Sequence, residues 1–186
     1  MPLPCGLRRI TIACIEDNTR WARVIRASLR PALQQHYPAY EFDIVTLESH
    51  ALLDQALQGN AVRPTTAYGH GAARMVIPDL IITDNMAKGK GGIESHVGLH
   101  WLATRDSKTS RIPTVMFSDG DIASLALILR GQPIGLVAKR EAGQKDYQPF
   151  RELAEEVGRH LNLSRDNLPA LTERVTRKKD PVSRGR

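Results

Sequence analysis

Apolar runs short enough for strands alternate with amphipathic stretches at helical spacing along most of the chain. That alternation admits few folds, because strands buried on both faces and separated by helices build a parallel sheet covered on each side. Ile10–Ile15 reads as the first strand, Glu41–Thr46 as the second, Leu80–Thr83 as the third, Ile112–Phe117 as the fourth and Ile134–Ala138 as the fifth. Between them, Trp21, Ile25, Leu29 and Leu33 mark the buried stripe of a first helix whose Arg20, Arg23, Arg26 and Arg30 turn outward. Further helices are expected over Glu48–Leu57, around Val97–Arg105, over Ile122–Leu129 and along Phe150–Leu161. The expectation is a doubly wound five-stranded parallel sheet with helices on both faces.

Two stretches stand outside the alternation. Residues 59–77 carry Gly, Pro and Thr without a clean period and read as a long insertion loop, of the kind that is functional or mobile when it occurs in a compact domain. Residues 162–186 hold a short amphipathic pattern (Leu168, Leu171, Val175) that runs into a basic tail. The domain itself is expected over residues 8–161. At 186 residues the chain has room for one domain of ordinary size and an extension, and 25 residues after Leu161 are too few for a second core.

Charge sorts the function classes. The net charge is +6, yet six basic residues and one acid between Arg174 and Arg186 supply five of those charges. The body is nearly neutral, so nucleic acid is expected as a partner only weakly, through the tail, in strongly salt-dependent contact. No apolar run approaches the roughly 18 residues of a membrane span, and Glu16 and Asp17 arrive before a signal-peptide core could form, so a cytoplasmic location is expected. Cys5 and Cys14 are too few for a disulfide framework or a zinc site, and Cys14 reads as a buried thiol.

In an open parallel sheet, ligands bind beyond the carboxyl ends of the strands. The residues there are Glu16 and Asp17 after the first strand, Asp84 after the third, Ser118 after the fourth and Lys139 after the fifth. Crowded carboxylates raise one another's pKa unless a cation sits among them, and Mg2+ suits one or two such groups with waters and phosphate oxygens. One carboxylate can then attack phosphorus, while an ammonium and a hydroxyl stabilise the phosphoryl oxygens. Ser118 has a second reading, as the cap of the helix that starts near Asp121. His96 and His100 lie four apart and read as surface histidines, and the GKGG run at 89–92 lacks the pattern of a phosphate-binding loop.

This set, in this order on these strands, resembles the receiver domain of two-component response regulators. The resemblance runs from about Arg8 to Leu161, and Gly92, Ile93 and Glu94 also follow Asp84 at the family's spacing. The resemblance implies a flavodoxin-like sheet of order 2-1-3-4-5. It also implies phosphorylation of Asp84 by a histidine kinase or histidine phosphotransfer protein, with Ser118 and Lys139 contacting the phosphoryl group. Mg2+ would be held by Asp17, Asp84 and the Met86 carbonyl, with Glu16 acting through water. Such a domain assists its own phosphorylation and dephosphorylation and is not otherwise an enzyme.

The chain departs from the family pattern at Leu136, where an aromatic residue is usual, at Arg140 in place of proline, and at Asp119 in place of a small residue. Output is expected through protein contacts, with the apolar helix 122–130 as a candidate homodimer surface. The competing readings are a receiver-like adaptor that is never phosphorylated and a Mg2+-dependent phosphohydrolase. Met86, standing where the common phosphatase arrangement has a second aspartate, speaks against the latter.

Overall fold

The computed structural model describes residues 7–66, 68–85, 87–88, 94–119, 121–139 and 148–164. In chain order the elements are β1 (Arg8–Ile15), α1 (Thr19–His36), β2 (Tyr40–Leu47), α2 (His50–Leu57), β3 (Thr65–Thr66), β4 (Gly69–His70) and β5 (Leu80–Thr83). They continue with β6 (Ala87–Lys88), β7 (Glu94–Ser95), α3 (Val97–Thr104), β8 (Thr114–Ser118), α4 (Ile122–Ile128), β9 (Ile134–Ala138) and α5 (Gln148–His160). The main sheet runs β4-β3-β2-β1-β5-β8-β9, and its five parallel members, β2-β1-β5-β8-β9, have the expected order 2-1-3-4-5.

Two strands are additions. The sheet has seven strands where five were expected, because the insertion at 59–77 is not structureless. Thr65 pairs antiparallel with Thr46, and Thr65–Thr66 folds back on Gly69–His70, with Gly69 at φ +117 supplying the left-handed turn that a side chain would resist. Val62 and Arg74 bridge further out. Arg26, read as one of an outward stripe, instead donates to the Thr65 carbonyl and ties the hairpin to α1, whereas Arg20, Arg23 and Arg30 are exposed.

Strand alternation sorts the core into two layers. Ile10, Ile12 and Cys14 of β1 face α1 and α5, meeting Ile25, Leu29, Leu33, Phe150, Leu153 and Val157. Ala13 and Ile15 face the other way, toward Leu53, Trp101, Leu125 and Leu129 of the α2, α3 and α4 side. Full burial of one such Leu stabilises the fold by about 1.5–3 kcal/mol relative to exposure. Asn18, Ser49 and Asp121 cap α1, α2 and α4, and all three helices begin at the carboxyl end of the parallel strands.

Helix α4 buries Leu125 but leaves Leu127 72% and Ile128 57% exposed. The Cys14 thiol is buried, and burial pushes its pKa upward, with the nearby Glu16 charge adding to the effect. No helix among the described residues is long and apolar enough to cross a membrane. The short helix expected around Leu168–Val175 and the basic tail lie outside the described residues.

Candidate functional site

At the carboxyl rim, β1 hands the chain to Glu16, whose amide donates to the Leu47 carbonyl at 2.9 Å. Glu16 is only 2% exposed. Both of its carboxylate oxygens are engaged: Oε1 accepts the Asn18 amide at 3.1 Å, and Oε2 accepts Lys139 Nζ at 2.6 Å. Asp84 follows β5, and its Oδ2 accepts the same ammonium at 2.5 Å. Lys139 begins beyond β9, where its amide donates to the Ser118 carbonyl at 2.7 Å. Its side chain extends over the end of β8 toward β5 and β1, and the Asp84 and Glu16 carboxylates meet its ammonium there. One buried cation is shared between two acids that come from residues far apart in the chain.

The electrostatics follow from that sharing. Burial pulls the Lys139 ammonium down, but the charges of Asp84 and then Glu16 outweigh it, so its pKa is raised and it stays charged. Burial pushes the Glu16 carboxyl up; the Lys139 charge and hydrogen bond oppose this, while the charge of Asp84 reinforces it. One ammonium cannot fully compensate two carboxylates. An aromatic wall completes the enclosure, with Lys139 Nζ lying 5.4 Å from the Trp21 ring centroid and 5.8 Å from that of Phe117. Trp21 meets Phe117 edge-on at 6.2 Å, and Phe117 packs on Phe150 at 5.8 Å.

Ser118 ends β8 fully buried, beside the Lys139 backbone. Its reading as a helix cap falls away, because the Asp121 carboxylate accepts the Ala123 and Ser124 amides that open α4. Asp17 is exposed next to Glu16, so the acidic pair divides between interior and surface. Met86 and Arg140 lie outside the described residues; Asp119 is exposed, and Leu136 packs partly buried on the α2–α4 side of the sheet. Among the described residues, no three or more His, Cys, Asp or Glu side chains gather as a ready metal-ligand group.

Beneath Asp84 lies a polar layer that sequence reasoning missed. His50, first residue of α2, sits 2.8 Å from the Thr83 hydroxyl, which donates to the Asp84 carbonyl at 3.0 Å. The His50 ring also stacks near Trp101 at 5.3 Å, and the Trp101 indole donates to Asp54 at 3.0 Å. Burial lowers the His50 pKa to about 4, against a smaller upward pull from Asp54. The only sequence signal was an ionisable residue just inside a helix start, which ordinarily reads as solvated.

Asn85, 1% exposed, accepts the Leu99 amide at 3.3 Å and its side-chain nitrogen lies 2.9 Å from Nδ1 of His96, which is exposed, as expected of a surface histidine. Gly98 allows α3 to press on the same backbone, since a Cβ there would stand 2.3 Å from the Asp84 carbonyl oxygen.

The parallel strands run in the order 2-1-3-4-5 of a flavodoxin-like α/β domain, and a known response-regulator structure agrees at the level of fold. The phosphorylated cyanobacterial phytochrome response regulator RcpA is 21% identical, covering 79% of this chain and 92% of its own, with a TM-score of 0.51. HP1043, an orphan response regulator of H. pylori, is 16% identical, covering 85% of this chain and 99% of its own, with a TM-score of 0.48. No protein-family model and no curated protein matches the sequence. The chain thus has the response-regulator receiver fold.

Proposed function

We propose that this chain is a phosphoacceptor: Asp84 takes a phosphoryl group from the phosphohistidine of a histidine kinase or phosphotransfer protein, and output passes through protein contacts in the cytoplasm. The observation that carries the reading is the Lys139 ammonium, buried and held 2.5 Å from the Asp84 carboxylate. A lysine placed there meets phosphoryl oxygens as charge builds on them, at no cost of reorganisation. An Asp84 carboxylate oxygen attacks phosphorus as the phosphorus–nitrogen bond of the donor breaks, and the imidazole leaves with the bonding pair. Lys139 then exchanges part of its contact with Asp84 for the new phosphoryl oxygens, Glu16 keeps it oriented, and the Ser118 hydroxyl turns to donate to another.

The chemistry of the donor set fits Mg2+. Asp17 and Asp84 carry the hard carboxylate oxygens this ion prefers, while those of Glu16 are taken by the Asn18 amide and the Lys139 ammonium. Asp17 and Asp84 would hold it, with the Met86 carbonyl implied by resemblance. When bound, Mg2+ neutralises charge on the phosphoryl oxygens.

Acetyl phosphate with Mg2+ is expected to add one phosphoryl group to the wild type and none to Asp84→Asn, read by intact mass. A wild type left unmodified by both acetyl phosphate and phosphoramidate would sink the reading. The second reading, an unphosphorylated adaptor, draws on exposed Leu127 and Ile128 of α4, which suit a second copy of the chain or another partner. It is favoured if the protein binds no Mg2+ at millimolar concentration.

A further inference from the structure

The insertion that the phosphoacceptor chemistry does not use does build something. Its outgoing segment, Met75 to Ile77, and the following Pro78 line an open pocket of about 580 Å³ together with the end of α2, the end of α3 and the turn leading into β8. This lies at the amino end of β5, away from Asp84, and its size is within the range of small-molecule sites. The walls mix apolar and polar surface, with Ala56, Trp101 and Ile112 inside and Met75 and Ile77 at the mouth, 54% and 79% exposed.

One charge in the wall is not answered by the protein. Arg105 lies with its guanidinium 5.8 Å from the Trp101 ring centroid, and its Nη1 donates to the Thr114 hydroxyl at 2.9 Å. Among the described residues it forms no ion pair with an acid. The two acids that also line the cavity are turned to protein donors: Asp54 to the Trp101 indole at 3.0 Å, and Asp106 to the Thr109 amide at 2.7 Å. Burial holds the Arg105 guanidinium below its usual value.

We propose that this cavity binds a small organic anion with an apolar body, its carboxylate or sulfonate on Arg105 and its body against Trp101, Met75 and Ile77. A guanidinium with donors to spare binds planar anions in fork geometry, and Lys108 at the rim adds a second positive charge. The site stands independently of phosphoryl transfer at Asp84.

The test pairs 8-anilinonaphthalene-1-sulfonate with N-phenyl-1-naphthylamine, the same body without the anion. The sulfonate is expected to bind at one site per chain and to shift the NMR signal of the Trp101 indole N–H while leaving that of Trp21 in place. Decanoate should displace it. Arg105→Gln should weaken the sulfonate about tenfold or more and leave the neutral amine unchanged. Because Arg105 also packs on Trp101, Ile77→Asp at the exposed mouth serves as a second variant and should weaken both probes. Equal affinity for the two probes, an unmoved Trp101 signal, or undiminished sulfonate binding to Ile77→Asp would each overturn the proposal.

Discussion

The two ends of the parallel sheet handle charge in opposite ways. At the carboxyl end, the Lys139 ammonium contacts the carboxylates of both Glu16 and Asp84. Three capped helix starts surround them, and helix N-termini carry the partial positive charge that suits carboxylates and phosphate. At the amino end, α2 and α3 finish, and the partial negative charge of their last turns suits a cation such as Arg105, which has no acid partner among the described residues. The polarity of a parallel sheet therefore provides one rim where charges meet and an opposite end where the Arg105 guanidinium lies over the Trp101 ring without an ion-pair partner among the described residues.

Removing one charge at each end tests that contrast most severely. Lys139→Met leaves Glu16 and Asp84 facing one another in a buried site, and the expected loss is about 3–5 kcal/mol in urea unfolding at neutral pH. Adding Glu16→Gln should recover much of it. Arg105→Gln should cost about 1 kcal/mol, since it breaks a hydrogen bond without stranding an acid. Equal losses at both ends would break the comparison.

The layer between the ends responds to acid. The folded-state pKa of His50 is lowered to about 4, so the unfolded chain takes up a proton first as pH falls from 6.5. Stability is present above that range and lost progressively down to about pH 4, by about 3 kcal/mol in all. His50→Gln should flatten this part of the pH dependence, as read by unfolding midpoints from pH 7 to pH 4. A slope unchanged in that variant would remove His50 as the source. Gly98→Ala should cost about 1–3 kcal/mol, because its Cβ would be forced against the Asp84 carbonyl. Slower reaction with acetyl phosphate should accompany the loss.

The parts that were legible in the sequence have strong local signals. Leu80–Thr83 and Ile134–Ala138 stand with the expected bounds, because short β-rich runs between turn residues read unambiguously. The rim residues were legible through strand ends alone. Their contacts were not: Glu16 and Lys139 are 123 residues apart, and nothing local says that Glu16 turns inward to the ammonium while Asp17 stays exposed. The two-residue strands β3 and β4 are too short to show a period. Trp21 looked like one more member of a helical apolar stripe, and only the fold reveals the ammonium beside it.

That ammonium gives the finest test of the contrast, because both ends contain the same kind of pair. Lys139 lies 5.4 Å from the Trp21 ring at the rim, and Arg105 lies 5.8 Å from the Trp101 ring at the other end. Attraction between a cation and a ring grows as water is removed, from about 0.5–1 kcal/mol at exposed sites to about 2 kcal/mol when desolvated. The Lys139 side chain is 1% exposed, whereas Arg105 is only half-buried. A double-mutant cycle of Trp21→Leu with Lys139→Met should therefore show a larger coupling than Trp101→Leu with Arg105→Gln, both read by urea unfolding. Trp21→Phe should keep most of the rim coupling, since a ring face remains. Coupling that is equal at both ends, or absent at the rim, would mean that Glu16 and Asp84 alone hold the lysine and that the aromatic wall only fills space.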